Sequence, residues 1–175
     1  MRVAGGQQQM GQVIASLEEQ LRTLEQAIGE VLADGAWAPS AAQLQRIPGL
    51  GLVTAAWLLV GTVNFTTWVS AEAAAHAVGL APRERQSGTS IRGRPSSGHG
   101  GNQRVRTALY RASLSAARYN PVIKTFYNRL RGAGKPAKVA RCAAARKLMH
   151  LAFAVVTKGQ DFDPSYQKTP VVSCG

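Results

Sequence analysis

The sequence predicts a mainly α-helical protein, in which a coiled-coil-like N-terminal helix precedes a compact helical domain. Three observations carry this prediction: an apolar repeat of period 3-4 near the start, long alanine-rich stretches, and few strand-forming residues. A chain of 175 residues is long enough for one ordinary domain with a further element. We expect a tail and heptad helix over 1–38, the helical domain over 39–164, and an irregular tail over 165–175.

The first predicted helix spans residues 12–33. Its apolar residues are separated by alternating steps of three and four, which is the a/d pattern of a coiled coil: Ile14, Leu17, Leu21, Leu24, Ile28 and Val31. This seam predicts self-association through residues 12–33, and the alternative is a helix that packs on its own domain. Asp34-Gly35 ends the pattern. Residues 1–11 contain GGQQQMG, which is similar to an expression epitope, and they are left out of the fold prediction.

A helix-hairpin-helix element is predicted next. A short helix over 39–46 leads into IPGLG at 47–51, and a second helix runs over 52–60. Gly49 and Gly51 permit a tight hairpin, whose backbone amides and following helix N-terminus can receive a DNA phosphate without reading sequence. An ordinary helix–helix turn is the alternative.

Four more helices are predicted from capping residues and breakers. Ser70 and Asn102 are suitable N-caps, and Pro121 can occupy the first turn of a helix after Asn120. The expected helices end near Val78, Tyr119, Arg131 and Thr157. A long Ser/Gly/Arg loop, RERQSGTSIRGRPSSGHGG, separates the first two of them.

Charge is concentrated in one part of the chain. The net charge is +12, and residues 83–147 hold sixteen Lys or Arg against one acid. Such asymmetry favours a dedicated surface for a polyanion, most often nucleic acid. On the helix after the loop, three arginines spaced by seven fall in one row, and two further basic residues begin the last helix: Arg104, Arg111, Arg118, Lys138 and Arg141.

Several functional classes are disfavoured. The acids are scattered, the histidines lack metal-ligand spacing, and the two cysteines form no ligand motif or disulfide scaffold, so no metal ligands are predicted. We find no apolar run of membrane-spanning length and no signal peptide, and we expect a cytoplasmic protein without a membrane partner. No nucleophile elbow is present, although a Ser-His-Asp triad stays open.

The loop combines four serines, five glycines and four arginines in 19 residues. A serine that attacks a phosphodiester needs its phosphate held and its developing charge neutralised, and arginines can do both. Ser87-Gly88 is flanked by four such residues: Arg83, Arg85, Arg92 and Arg94. Composition alone nevertheless favours a DNA-binding loop over a catalytic one.

Two long strings add a resemblance. IPGLGLVTAAWLLVGTVNFTTWVSAEAAAHAVGLAPRERQSGTSIRGR, followed by GNQRVRTALYRASLSAARYNPVIKTFYNRLRGAGKPAKVARCAAARKLMHLAFAVV, resembles the C-terminal transposase domain of the insertion-sequence 110/116/902 family. The similarity runs from about Arg46 to Pro164. The helix at 12–33 lies where that family has a coiled-coil spacer.

This resemblance implies a site-specific DNA recombinase in which a loop serine attacks DNA and becomes covalently linked to it. The matching position is Ser87, with Ser90 as the alternative. The family also implies a RuvC-like domain with four metal-binding carboxylates and a guide RNA from the element. Nothing before residue 12 can hold that domain, so we expect an N-terminally truncated protein that binds no Mg²⁺ itself and is inactive alone.

Two other functions remain open. The first is a non-catalytic helix-hairpin-helix module that binds nucleic acid and dimerises through its heptad helix. The second is a purely structural remnant of an assembly. Salt-dependent DNA binding separates both nucleic-acid hypotheses from the structural one, because phosphate contacts release counterions.

Overall fold

The computed structural model describes residues 2–83, 86–87, 91–92, 96–97 and 101–165. Seven helices make up most of this part of the chain: α1 (Arg2–Asp34), α2 (Ala38–Gln45), α3 (Leu52–Thr62), α4 (Ala71–Ala77), α5 (Gln103–Tyr119), α6 (Pro121–Gly132) and α7 (Ala137–Lys158). The mainly helical prediction is confirmed. Each predicted helix lies within a few residues of its expected position, and α1 also includes residues 2–11, which the prediction had left out.

Helix caps explain several of these boundaries. The Ser70 hydroxyl accepts a hydrogen bond from the backbone N–H of Ala73, as predicted for the start of α4. At the start of α5, Oδ1 of Asn102 accepts from the backbone N–H groups of Arg104 and Val105, at 3.2 and 3.3 Å. Gly159 ends α7 in the left-handed conformation, with φ of 62°.

Between α4 and α5 the chain contains four two-residue strands, where the sequence predicted an irregular loop. They are β1 (Pro82–Arg83), β2 (Gln86–Ser87), β3 (Ile91–Arg92) and β4 (Ser96–Ser97). β1 pairs antiparallel with β4, and β2 pairs antiparallel with β3 inside it. The turn-forming glycines and serines hid this pairing, because two-residue strands leave no alternating apolar pattern to recognise.

The core is formed by α2 to α7. α5 packs against α3, α6 and α7, and α7 also contacts α2 and α4. Each of these helices except α4 contributes large, fully buried side chains: Leu44, Leu58, Leu59, Leu109, Ile123, Leu148 and Met149. Ile47 and Val78, which lie between helices, are also fully buried. The hairpin after α2 therefore lies inside the packed unit.

A buried asparagine fixes that hairpin to the junction between α5 and α6. Asn120 donates from Nδ2 to the carbonyl oxygen of Pro48 at 3.2 Å. Its Oδ1 accepts from the backbone N–H groups of Val122 and Ile123 at 3.1 and 3.2 Å. One side chain thus caps α6 and holds a loop 72 residues earlier in the sequence.

Helix α1 differs from the others. It is 33 residues long, about 50 Å at 1.5 Å per residue. Only its end joins the core, where Leu32 packs against the buried cluster and Gly29 lies beside Leu52. Residues 6–27 are all exposed, so most of the heptad seam is not covered by the described part of the chain.

Candidate nucleic-acid interface

A groove of about 890 Å³ lies between α3 and α5, with α1 along one side. We call it the α3–α5 groove. It is lined by Glu25, Val53, Thr54, Trp57, Asn102, Gln103, Arg104, Thr107, Ala108 and Arg111, and most of these side chains are polar or charged. Two arginines oppose one acid, and the hydroxyl and amide groups add neutral donors. These groups can donate hydrogen bonds to a phosphate backbone.

The two walls approach closely because α3 carries a glycine at the contact. A Cβ added at Gly61 would lie 2.3 Å from Cγ2 of Val105 and 2.9 Å from Nδ2 of Asn102. Any larger residue would push the first turn of α5 away from α3. Gly61 therefore sets the width of the groove near Asn102.

Trp57 and Arg104 form a pair across the groove. The Arg104 guanidinium carbon lies 5.3 Å from the centroid of the Trp57 ring, which is a cation–π distance. Arg104 is exposed and Trp57 is half-buried. Arg111 follows two helical turns later, about 10 Å along α5. Together they offer a stacking surface and two guanidinium groups to one nucleic-acid strand.

The residues that follow the serine-bearing strands lie at the rim of this groove. Gly101 has φ of 112°, and a Cβ there would lie 2.3 Å from the carbonyl oxygen of Ala77. The next backbone N–H, that of Asn102, donates to the same oxygen at 3.3 Å. Asn102 itself lines the groove. Gly101 and Asn102 are thus packed against the end of α4 at the rim of the groove.

Within the strands, the backbone pairing places Ser87 opposite Ile91, next to the pair formed by Gln86 and Arg92. Arg83 lies on β1 opposite Ser96. The side chains of these strand residues are outside what the structure describes. The predicted site residues Arg85, Ser90 and Arg94 lie outside the described residues altogether. The roles predicted for this segment therefore stay predictions.

The hairpin glycines have different surroundings. Gly49 has φ of 100°, and a Cβ there would lie 2.6 to 2.7 Å from atoms of Ala116. The contact with α5 therefore requires glycine at position 49, whether or not the hairpin binds a ligand. Gly51 precedes α3, has open space around it and is exposed. Of the two glycines, Gly51 leaves room for a phosphate beside the first amides of α3.

The other predicted basic residues lie away from the α3–α5 groove. Arg118 and Lys138 are exposed and line no part of it. Arg141 is half-buried between two tyrosines, and the Tyr110 hydroxyl raises the pKa of Arg141 most, by hydrogen bonding, with a smaller effect from Tyr127. The Arg141 guanidinium therefore lies close to phenols from α5 and α6.

Sequence reasoning missed Trp57, Tyr110 and Tyr127. Trp57 lies in the run LVTAAWLLV, where an aromatic residue is typical of a core. The sequence does not show that Trp57 lies on the side of α3 that faces the groove, because this depends on how α5 packs against α3. The sequence signal that could have found it is an aromatic residue on the helix that follows the IPGLG hairpin.

The described residues do not fit a metal centre. In the part of the chain that the structure describes, no group of three or more His, Cys, Asp or Glu could hold a metal ion. Separately, no helix among the described residues is both long and apolar enough to cross a membrane.

Comparison with known proteins gives a consistent pattern. The family model described as "Transposase IS116/IS110/IS902 family" matches residues 41–128, which include the hairpin, the serine-bearing strands and most of the groove. The chain is 32% identical over 150 residues to "Insertion element IS110 uncharacterized 43.6 kDa protein" of Streptomyces coelicolor, covering 86% of this chain and 36% of that protein.

Two further relatives extend this result. The chain is 37% identical over 125 residues to "Pilin gene-inverting protein" of Moraxella bovis, covering 70% of this chain and 38% of that protein. It is 27% identical over 168 residues to "Insertion element IS900 uncharacterized 42 kDa protein" of Mycobacterium paratuberculosis, covering 93% of this chain and 42% of that protein. The chain thus spans about two fifths of the length of these relatives.

Proposed function

The chain belongs to the IS116/IS110/IS902 transposase family, and from that premise we propose that it is the DNA-binding and strand-cleaving part of a transposase or site-specific recombinase. Family membership implies DNA binding and a role in DNA transposition or recombination. The finer assignment rests on one observation. Asn102, which follows the segment that carries the serine-bearing strands, lines a groove that presents Trp57, Arg104 and Arg111.

The groove's role is to hold one strand of the substrate. Arg104 and Arg111 contact phosphates, and Trp57 stacks on a base or deoxyribose that reaches into the groove. These contacts are independent of sequence, since every strand has phosphates and every base has a flat face. Target selection is then the task of other contacts, which include a guide RNA in the family that the sequence resembles.

The proposed nucleophile is Ser87, with Ser90 as the alternative. Its hydroxyl oxygen attacks a backbone phosphorus, the bond from phosphorus to one deoxyribose oxygen breaks, and that oxygen takes a proton as the serine hydroxyl loses one. The new bond between serine and DNA is again a phosphodiester, so the bond energy is conserved and a DNA hydroxyl can reverse the step. Gly88 follows Ser87 and lets the backbone approach the phosphate.

Activation of the serine must come from elsewhere. A serine at its ordinary pKa is a weak nucleophile, and the described residues supply no acidic cluster. The resemblance implies carboxylates and Mg²⁺ in a RuvC-like domain, and the residues described do not fit that centre. We assign no step in this chain to a metal, and we expect no cleavage of DNA by these 175 residues alone.

The adduct test uses labelled DNA, a carboxylate-bearing RuvC-like partner and Mg²⁺. We expect a protein–DNA adduct that survives denaturing electrophoresis, that Ser87→Ala abolishes, and that Ser90→Ala retains, while Ser87→Ala still binds DNA. The reverse result for the two variants would move the nucleophile to Ser90. No adduct under any complementation would reject the cleavage proposal.

That last outcome would favour the second candidate, a non-catalytic helix-hairpin-helix module that dimerises through α1. The exposed seam of α1 supports self-association in either case. The two candidates share the groove, so the binding test applies to both. Arg104→Gln/Arg111→Gln should weaken binding to all DNA sequences alike and lower the salt dependence, because fewer counterions are released. Unchanged binding would remove the groove from both candidates.

A further inference from the structure

A second groove, of about 340 Å³, lies on α6 and α7. We call it the α6–α7 groove. It is lined by Pro121, Val122, Thr125, Phe126, Arg129, Lys147 and Pro164. It shares no residue and no helix with the α3–α5 groove. The sequence analysis assigned none of its residues a binding or catalytic role.

Two cations in this groove contact the same aromatic ring. The Arg129 guanidinium carbon lies 5.4 Å from the centroid of Phe126, and Nζ of Lys147 lies 4.7 Å from it. Arg129 is exposed and comes from α6, whereas Lys147 is half-buried and comes from α7. Phe126 therefore holds two positive charges from different helices in one place.

Neither charge is neutralised within the described part of the chain. The ion pairs found there involve Arg22, Arg46 and His150, and none of them reaches this groove. Burial lowers the pKa of Lys147, and repulsion from Arg129 lowers that pKa further. Two like charges at one ring without a carboxylate are unfavourable, so an anion bound between them would relieve a cost already present in the fold.

We propose that the α6–α7 groove is a second phosphate-binding site for the nucleic-acid backbone, in which Arg129 and Lys147 bind one phosphate against Phe126. The inference rests on the proposed function for its partner, DNA. The groove walls of Val122, Pro121 and Pro164 suit the apolar face of a deoxyribose beside that phosphate. A strand in the α3–α5 groove leaves this site free, because the two grooves have no lining residue in common.

The test compares two double variants of equal charge loss. Arg129→Gln/Lys147→Gln removes the site, and Lys124→Gln/Lys135→Gln removes two exposed charges from the same helix and its following turn, outside the groove. Binding of a fluorescein-labelled DNA duplex is measured by anisotropy over a series of NaCl concentrations. We expect the site variant to lower the slope of log K against log[NaCl] by about 0.9, the value for one phosphate contact, and the control to change it by less than half as much.

A second measurement uses the wild-type chain, so it is independent of any folding defect in the variants. Limiting acetic anhydride labels amines, and mass spectrometry reads each lysine. We expect the duplex to protect Lys147 and not Lys124. The second site would be overturned if the two double variants had equal slopes. It would also be overturned if DNA reduced the labelling of Lys147 no more than it reduced the labelling of Lys124. If wild type binds no duplex at low salt, the proposed function itself fails, which is a different result.

Discussion

Helices α1 and α7 are the two longest helices, with 33 and 22 residues, and they use their apolar residues in opposite ways. α7 buries seven residues in the core, and Leu148 has no exposed surface. In α1, Leu17 and Leu21 are 54% and 59% exposed. The seam of α1 is the more regular of the two patterns, yet the described chain leaves it open.

The difference shows that an apolar repeat determines which face of a helix is favourable to bury. It does not determine whether that face packs on the same domain or on another chain. In α7 the partner is the rest of the domain. In α1 we propose that it is a second copy of the chain, since a three-heptad apolar seam is poorly stable in water when alone. The two helices should therefore respond to the same substitution in different measurements.

The largest expected effect contrasts Leu148→Ala with Leu17→Ala. Leu148 is fully buried, so its truncation should lower the free energy of unfolding by about 2–5 kcal/mol. Leu17→Ala should change the unfolding of the domain by less than about 0.5 kcal/mol. Urea unfolding at a chain concentration low enough to suppress association measures both. Equal losses would mean that α1 packs on the domain.

The second contrast uses a glycine from each region. Gly49→Ala forces a Cβ to within 2.7 Å of Ala116 at a positive φ, and we expect a loss of about 2–3 kcal/mol. Gly11 lies in α1 with nothing within 4 Å. Gly11→Ala should stabilise that helix by about 0.5–1 kcal/mol, because alanine is the better helix former. Circular dichroism melts of both variants decide, and destabilisation by Gly11→Ala would contradict an isolated α1.

The third contrast concerns association. Leu21→Asp places a charge in the proposed seam, and Gln12→Asp places the same charge on the same helix at an exposed f position, away from the seam. We expect Leu21→Asp to weaken self-association at least about tenfold, because a buried unpaired carboxylate is costly. Gln12→Asp should leave association nearly unchanged. Sedimentation equilibrium measures both, and a wild-type monomer at all concentrations would reject pairing through α1.

The smallest effect is a pH dependence confined to α7. His150 packs near Glu72, with Nδ1 4.0 Å from Oε1. Burial lowers the pKa of His150 and Arg146 adds to that effect, while Glu72 opposes it. The unfolded chain therefore takes up this proton first, and stability should be lost as pH falls below the ordinary histidine value of about 6.5.

Substitution of that histidine isolates its share. His150→Gln should reduce the fall in melting temperature below that pH by about 1–2 °C at most, because the side chain is 30% exposed. His76→Gln on α4 is the control, since His76 is exposed. If both variants flatten the profile equally, the dependence does not come from α7.

The helices were largely predictable because their signals are local. Ser70, Asn102 and Pro121 mark the starts of helices within one turn of sequence, and the structure confirms all three. The paired strands within the Ser/Gly/Arg segment were not predicted. Their pairing joins residues up to 15 positions apart, such as Pro82 with Ser97, and the sequence of these strands does not indicate which residues pair.

The sequence by itself determined the mainly helical class, the helix caps, the basic segment over 83–147 and the family resemblance. Only the tertiary structure decided which of those features meet. It brought Trp57 to Arg104 and Phe126 to Lys147, and it separated Arg118 and Lys138 from the α3–α5 groove. The physical reason is that caps and periodicity act over a few residues, whereas a groove is formed by close packing of helices that are distant in sequence.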